Sequence, residues 1–283
     1  MQVKNFKIGF AGIAISSALL FSCTKVNRSD DFPKGDAPPV SGGYTNSNQI
    51  AAANLVGYWG FNGDLKDSVT NAVGTNKGMS FSDAGLKGKA LMGSSNINDS
   101  AYATAPSNAT IAGLTKYTIS CWVNTPTNNG ATGIVSIGET TGFWGNINIF
   151  FENGGTSTKA RFKTIFLDNG ATYDNDIQEV ENGFNNWTQY VITYDGAGIF
   201  RSYVNGTLAR ERTIPATATH FTNVGPIVFG ALHFMTRPSL TSGSTPQSWA
   251  GYLPGKMDEV RIYNRALTTQ EVSALSILER QGR

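Results

Sequence analysis

The sequence predicts an all-β sandwich, two sheets packed face to face, with one short helix near the C-terminus. Three observations predict it. From Leu55 onward, runs with strand character alternate with turn signals about every 8 to 15 residues. The 32 glycines fall largely at those breaks, as tight β-turns require. Helical spacing of apolar residues is clear only over Thr268–Glu279. No short repeat period runs through the chain, which disfavours a propeller or solenoid.

The N-terminus reads as a targeting segment rather than as part of the fold. Lys4 and Lys7 give a basic start, and Ile8 to Phe21 is apolar and rich in small residues. The segment ends in Leu20-Phe21-Ser22-Cys23, which resembles a bacterial lipobox and implies a signal peptide over 1–22 with Cys23 lipidated. The apolar run is short for a membrane span. Residues 23–52, with Pro33, Pro38, Pro39, Gly35, Gly42 and Gly43, read as a disordered tether. The folded domain is expected over 53–283. A lipid-anchored protein of the outer membrane, facing the periplasm or the cell surface, is the expected location. Attachment to the membrane would come through the lipid alone.

Composition limits the partners. Removing residues 1–22 takes away Lys4 and Lys7 and no acid, which leaves a formally neutral chain without long basic runs. Nucleic acid is therefore not an expected partner. With Cys23 lipidated, Cys121 has no disulfide partner. It sits between Ile119 and Val123 on one strand face, where a buried apolar thiol is expected.

Along the domain, Leu55-Val56-Gly57-Tyr58-Trp59-Gly60-Phe61 alternates and ends at the turn Asn62-Gly63-Asp64. Tyr117–Val123 stops before Pro126, Gly133–Gly138 is a short apolar run, and Ile147–Phe151 ends at Asn153-Gly154-Gly155. Tyr190–Tyr194, Ile199–Val204 and Thr207–Arg212 form successive hairpins. The second turns at Asn205-Gly206, where both positions favour positive φ. Met257–Tyr263 is the last strand, and strict alternation places Asp258, Val260 and Ile262 on one face. The helix then opens with Thr268 three residues before Glu271, a capping box, and with Leu267 and Val272 as a hydrophobic staple. Trp59, Trp122 and Trp187 fall on strands or their edges and are expected in the core.

Five of these stretches, in this order, resemble the concanavalin A-like lectin/glucanase superfamily, and within it laminin-G-like domains of bacterial surface proteins. They are Gly57–Gly63, Tyr117–Val123, Asn186-Trp187-Thr188 with Tyr194-Asp195-Gly196, Tyr203–Gly206, and Met257–Leu267. The resemblance implies a two-sheet antiparallel jelly roll with one concave face. It also implies a structural Ca²⁺ near the meeting of the first and last strands. Asp258 occupies the matching place, and Asp64 in the first turn is a second candidate ligand. Asp258 pairing with Lys256 or Arg261, or capping a backbone N–H, is the alternative.

Relatives that cleave glucans carry Glu-x-Asp-x-x-Glu on one strand, and this chain lacks it. The nearest approach, Asp174 to Glu179, lies between Asn-Gly breaks and reads as a solvated acidic loop. His220 and His233 make neither a triad nor a zinc pattern. Sugar binding needs flat aromatic faces and a few polar groups. Trp144 and Trp249 in loops, and Tyr173 beside the acidic cluster, are the candidates. The leading expectation is a non-catalytic, surface-anchored glycan-binding domain. A glycoside hydrolase with scattered carboxylates and a module that binds an envelope protein are the alternatives.

Overall fold

The computed structural model describes residues 39–96, 99–127, 130–153, 158–168, 171–214 and 221–283. The expected signal segment, Cys23, most of the expected tether and His220 lie outside the described residues. In chain order the first strands are β1 (Leu55–Trp59), β2 (Thr75–Lys77), β3 (Ser80–Ser82), β4 (Ala90–Met92) and β5 (Tyr102–Ala105). A one-turn helix α1 (Ala109–Ala112) leads to β6 (Tyr117–Asn124), β7 (Ala131–Glu139), β8 (Ile147–Asn153) and β9 (Ala160–Asp168). Then come β10 (Ala171–Asp174), β11 (Ile177–Val180), β12 (Thr188–Tyr194), β13 (Ile199–Val204) and β14 (Thr207–Thr213). The chain closes with β15 (Val224–Phe229), β16 (Ala250–Gly251), β17 (Lys256–Tyr263) and helix α2 (Thr269–Arg280). Among the described residues no helix is long and apolar enough to cross a membrane.

The strands form two sheets. The eight-stranded sheet runs β14-β13-β12-β6-β17-β4-β3, with β1 also on β17; the nine-stranded sheet runs β10-β9-β8-β7-β15-β5-β2, with β11 on β9 and β16 on β7. All pairings are antiparallel except β16 with β7. Alternate residues meet between the sheets: Tyr117, Ile119, Cys121 and Val123 from β6 face Ile147, Ile149 and Phe151 from β8 and Phe162 and Phe166 from β9. Phe162 stacks on Tyr190 with ring centroids 3.7 Å apart, and Phe166 on Phe200 at 4.3 Å. Each such buried side chain contributes roughly 1.5–3 kcal/mol. Cys121 is fully buried, and burial pushes its thiol up to about 12, so it is the inert apolar thiol expected.

The β13–β14 turn is the hairpin the sequence predicts. Val204 pairs with Thr207, Asn205 has φ +49 and Gly206 φ +79. A Cβ on Gly206 would also lie 2.8 Å from the Ser276 Cβ, because α2 packs directly against this turn. The capping box is present in both directions: Glu271 N–H donates to Thr268 Oγ1 (3.2 Å) and Thr268 N–H to the Glu271 carboxylate (2.8 Å).

Three expectations are corrected. Strict alternation fails in β17, because Glu259 takes φ +50 and the register slips between Asp258 and Arg261. Met257, Val260 and Ile262 face the inter-sheet core, while Asp258 pairs with Trp122 on the outer side. At this bulge β17 changes neighbour, from β4 at Met257 to β1 at Val260. Second, the folded domain begins before residue 53. Ile50 is buried, Val40 and Tyr44 pack on the α2 cluster, and Ser47 and Asn48 hydrogen-bond to Arg261. Third, the acidic stretch is not a bare loop. It forms β10 and β11, with Lys159 on Glu179 and Glu181, Arg212 on Asp174 and Arg161 on Asp176.

Candidate functional site

The outer faces of the two sheets differ. Over the eight-stranded sheet, α2 lays Val272, Leu275 and Leu278 on Val191, Tyr203 and Tyr263. Beneath it lies a buried ionic network. Arg261 Nε donates to Glu279 (2.7 Å) and Nη2 to Glu259 (2.9 Å), and all three side chains are inaccessible to solvent. The Trp122 indole N–H and the Gln189 amide also donate to Glu279 (2.7 and 3.1 Å). Burial pushes the Glu279 carboxyl above its usual range, and Arg261 opposes that shift. Trp59 and Trp122 are fully buried, but Trp122 sits under α2 rather than between the sheets. Trp187 is only half-buried, beneath the Lys256 ammonium at 5.7 Å.

Over the nine-stranded sheet the cover is a pair of loops. After the Gly230 turn, Ala231, Leu232, Phe234 and Met235 pack on Tyr102, Ala131, Phe150 and Val228. His233 is buried below them, 3.4 Å from Ser136 Oγ, and burial lowers its imidazole to about 4. Ser136 donates on to Asn148 (3.1 Å), whose amide donates to the Gly145 carbonyl (2.9 Å). The second loop is held by Glu139, whose carboxylate accepts from Thr141 and Gly142. Thr241 Oγ1 donates to the Gly142 carbonyl (2.7 Å) and ties the two loops together.

These loops raise an aromatic cluster above the sheet. Trp144 stacks on Phe150, and its centroid lies 6.0 Å from that of Trp249. Phe234 and Phe143 complete the group, 5.6 and 6.4 Å from Trp249. Phe143 and Trp249 are 37% and 41% exposed, so the cluster has a solvent-facing edge. Trp249 is fixed from behind: Ala131 N–H donates to its carbonyl (2.9 Å), and β16 follows immediately on the β7 edge. Gly130 permits this approach, since a Cβ there would meet the Trp249 carbonyl at 2.9 Å.

Trp249 forms one wall of a cavity of about 590 Å³. Its polar lining includes Asn96, Asp99, Arg237, Gln247 and Tyr252. Asp99 accepts from Ser94 Oγ (2.6 Å) and Asn96 Nδ2 (3.2 Å), which orients its carboxylate. Tyr252 stacks on Tyr102 and donates to the Met235 carbonyl (2.7 Å). A flat ring face beside amide, carboxylate and guanidinium groups is equipped to stack a ring and hydrogen-bond its substituents. Among the described residues Asp99 is the sole carboxylate in that lining.

A model of the laminin G type within the concanavalin A-like lectin/glucanases superfamily matches residues 97–273, more than half of the chain. The chain belongs to this superfamily. Solved structures share the jelly-roll fold at low identity. The binding domain of Paraclostridial Mosquitocidal Protein 1 is 21% identical with a TM-score of 0.59, over 79% of this chain and 52% of that one. Domain 4 of AbnA, a GH43 extracellular arabinanase from Geobacillus stearothermophilus solved with arabinotriose, is 21% identical with a TM-score of 0.56, over 79% of this chain and 98% of that domain. The botulinum neurotoxin serotype G binding domain is 18% identical with a TM-score of 0.58, over 80% of this chain and 51% of that one. The chain thus spans about half the length of the two toxin binding domains. At these identities the likeness shows the fold alone. No curated protein matches the chain in sequence.

Within this concanavalin A-like frame, two of the three expected aromatic residues meet. Trp144 and Trp249 share the cluster, whereas Tyr173 lies on the sheet-edge strand β10, stacked on Phe166 and under Arg212. Asp64 is exposed and accepts the Lys66 N–H (3.0 Å). Asp258 caps the turn before β4: Leu86 and Lys87 N–H donate to one oxygen (2.9 and 3.1 Å) and Glu259 N–H to the other (2.8 Å). Burial pushes the Asp258 carboxyl up to about 7 against those three donors. N–H groups bring partial positive charge to the oxygens a cation would need, so this donor set does not fit Ca²⁺ well. Among the described residues no group of three or more His, Cys, Asp or Glu gathers as a metal site. Sequence reasoning missed Asn96, Asp99, Arg237 and Tyr252. One signal was available: between Arg212 and Lys256, Arg237 is the sole Lys, Arg, Asp or Glu.

Proposed function

We propose that this protein captures glycan through the Trp249 cavity and carries out no chemistry on it, held at the cell envelope by lipid on Cys23. The observation that carries this reading is the exposed Trp249 ring standing over a cavity lined with planar hydrogen-bonding groups. Stacking a sugar on tryptophan needs that combination, and the ring is already immobilised, which lowers the ordering cost of binding. One lining carboxylate is short of the pair, about 5 to 10 Å apart, that glycosidases use. The jelly-roll relative solved with arabinotriose is consistent with a saccharide ligand. The envelope location rests on the sequence of residues 1–23.

Affinity gels and a glycan array with the wild-type chain and Trp249→Ala test the reading. Binding to at least one polysaccharide, weakened roughly tenfold or more in the variant, is expected from the loss of one stacking face. Folded protein that binds no polysaccharide, or binds equally well without Trp249, ends it. Cys23→Ala should release the protein from membranes into the soluble fraction. A second reading has one observation in its favour: Phe143 and Trp249 together expose an aromatic edge suited to a protein partner. Phe143→Ser would then abolish capture of an envelope protein while sparing glycan binding.

A further inference from the structure

Arg237 is unusual among the cations of this chain. It is exposed on the wall of the Trp249 cavity, yet its backbone is clamped twice by one hydroxyl. Tyr102 Oη donates to the Arg237 carbonyl (3.1 Å) and accepts from the Arg237 N–H (3.0 Å). Tyr252, stacked on Tyr102, fixes the preceding turn through the Met235 carbonyl. The guanidinium is aimed as well, because Nε donates to Ser100 Oγ (2.9 Å). Among the described residues no carboxylate pairs with Arg237, and none accepts a hydrogen bond from its Nη1 or Nη2 groups. Asp99, in the same cavity, is occupied by donors from Ser94 and Asn96. Surface arginines usually spread their charge over mobile rotamers; here the fork is held by its stem and left open at its end. A planar guanidinium presented in this way matches a carboxylate in two parallel hydrogen bonds.

We propose that the cavity selects acidic sugars, taking a uronic-acid carboxylate on the Arg237 fork while a ring of the same chain stacks on Trp249. This rests on the glycan-binding reading above and adds the charge of the ligand. A neutral saccharide offers the Arg237 fork only single, uncharged hydroxyl acceptors, which do not fill its two parallel donors. An acidic one exchanges water for a charge-assisted pair whose geometry is already prepared.

The test compares the full chain, in detergent, on polygalacturonate, alginate and hyaluronan with carboxyl-reduced counterparts of the same polymers. At least one acidic polymer should bind, and reduction should weaken that binding roughly ten- to hundredfold, the effect of losing a charge-assisted hydrogen-bonded pair. Arg237→Gln should give a similar loss on the acidic polymer and a markedly smaller one on its reduced form. Arg237→Lys should recover part of the affinity and raise the salt sensitivity, since it restores charge without the fork. A melting temperature equal to wild type shows that these variants remain folded, as the Tyr102 hydroxyl clamp engages only the backbone atoms of Arg237. Equal binding of acidic and reduced polymers, binding confined to neutral glycans, or an Arg237→Gln variant indistinguishable from wild type overturns the proposal. In those cases a loss on Trp249→Ala would still leave the glycan-binding reading standing.

Discussion

Over the eight-stranded sheet, a capped helix and a buried Arg261–Glu259–Glu279 network close the central surface around Trp122 and Tyr263. Over the nine-stranded sheet, two loops form the cover and leave aromatic rings and a fixed arginine facing solvent. Both covers begin from the same problem, a sheet with apolar residues on its outer side. The first solves it by burying Arg261 between two carboxylates; the second stops short and leaves a cavity with groups already aimed. The difference teaches where stability and recognition have been placed in this jelly roll. The helix side holds the fold, and the loop side is where the proposed ligand would meet the protein.

The sharpest way to break that division is Glu279→Ala. It strands Arg261 with one carboxylate and removes the acceptor for the Trp122 and Gln189 N–H groups. Leaving a buried charge and buried donors without partners should cost about 3–5 kcal/mol in urea unfolding. Glycan binding of the fraction that remains folded should not change. A loss under 1 kcal/mol, within the range of exposed ion pairs, would show that the network is not what seals this face.

The two sides should also respond differently to acid, through His233. Its imidazole is held near 4 in the folded protein by burial, against about 6.5 in the unfolded chain. Between those values the unfolded chain binds a proton that the folded one refuses. Stability therefore falls as pH drops from about 6.5 to about 4, by up to about 3 kcal/mol. His233→Gln should flatten that slope, measured as urea midpoints across the window. An unchanged slope would place the acid sensitivity elsewhere.

How much of this division could be read from the sequence depends on distance along the chain. The Asn205-Gly206 turn, the Thr268–Glu271 cap and the alternation of Tyr117–Val123 are local patterns, and the structure realises each of them. The β17 bulge was not legible, because Glu259 gives no hint that it will take a positive φ. That single residue turned Asp258 away from the core. Trp144 and Trp249 were legible as loop aromatics, but not as neighbours 6.0 Å apart, since 105 positions separate them. Tyr173 misled because a tyrosine near acids looks the same whether it faces solvent or stacks on Phe166. The start of the packed region was not legible because Ser47 and Asn48 are polar. Their partner, Arg261, is 213 to 214 residues away.

Two tryptophans on opposite faces sharpen the comparison further. Trp122→Ala removes a fully buried ring from beneath α2 and should cost about 3–5 kcal/mol of stability. Trp249→Ala removes a ring that is 41% exposed and should shift stability by no more than about 1 kcal/mol. Its effect belongs in the binding measurement instead. A melting curve for Trp249→Ala as depressed as that of Trp122→Ala would mean that the loop cluster is a second core and not a binding surface.

The smallest effect expected concerns calcium. A Ca²⁺ at Asp258 would have to displace the Leu86, Lys87 and Glu259 N–H groups that now satisfy its carboxylate, and Asp64 is occupied by its own turn. A cation bound even a hundredfold above its Kd would add about 2.7 kcal/mol. For a domain of this size that would raise Tm by several degrees. Melting in millimolar Ca²⁺ and in EDTA should instead agree to within about 1 °C, well below that linkage effect. A clear rise in Ca²⁺ that Asp258→Asn abolishes would reverse this conclusion. It would also mean that the turn before β4 opens to take a metal, so that the eight-stranded side would no longer be the closed one.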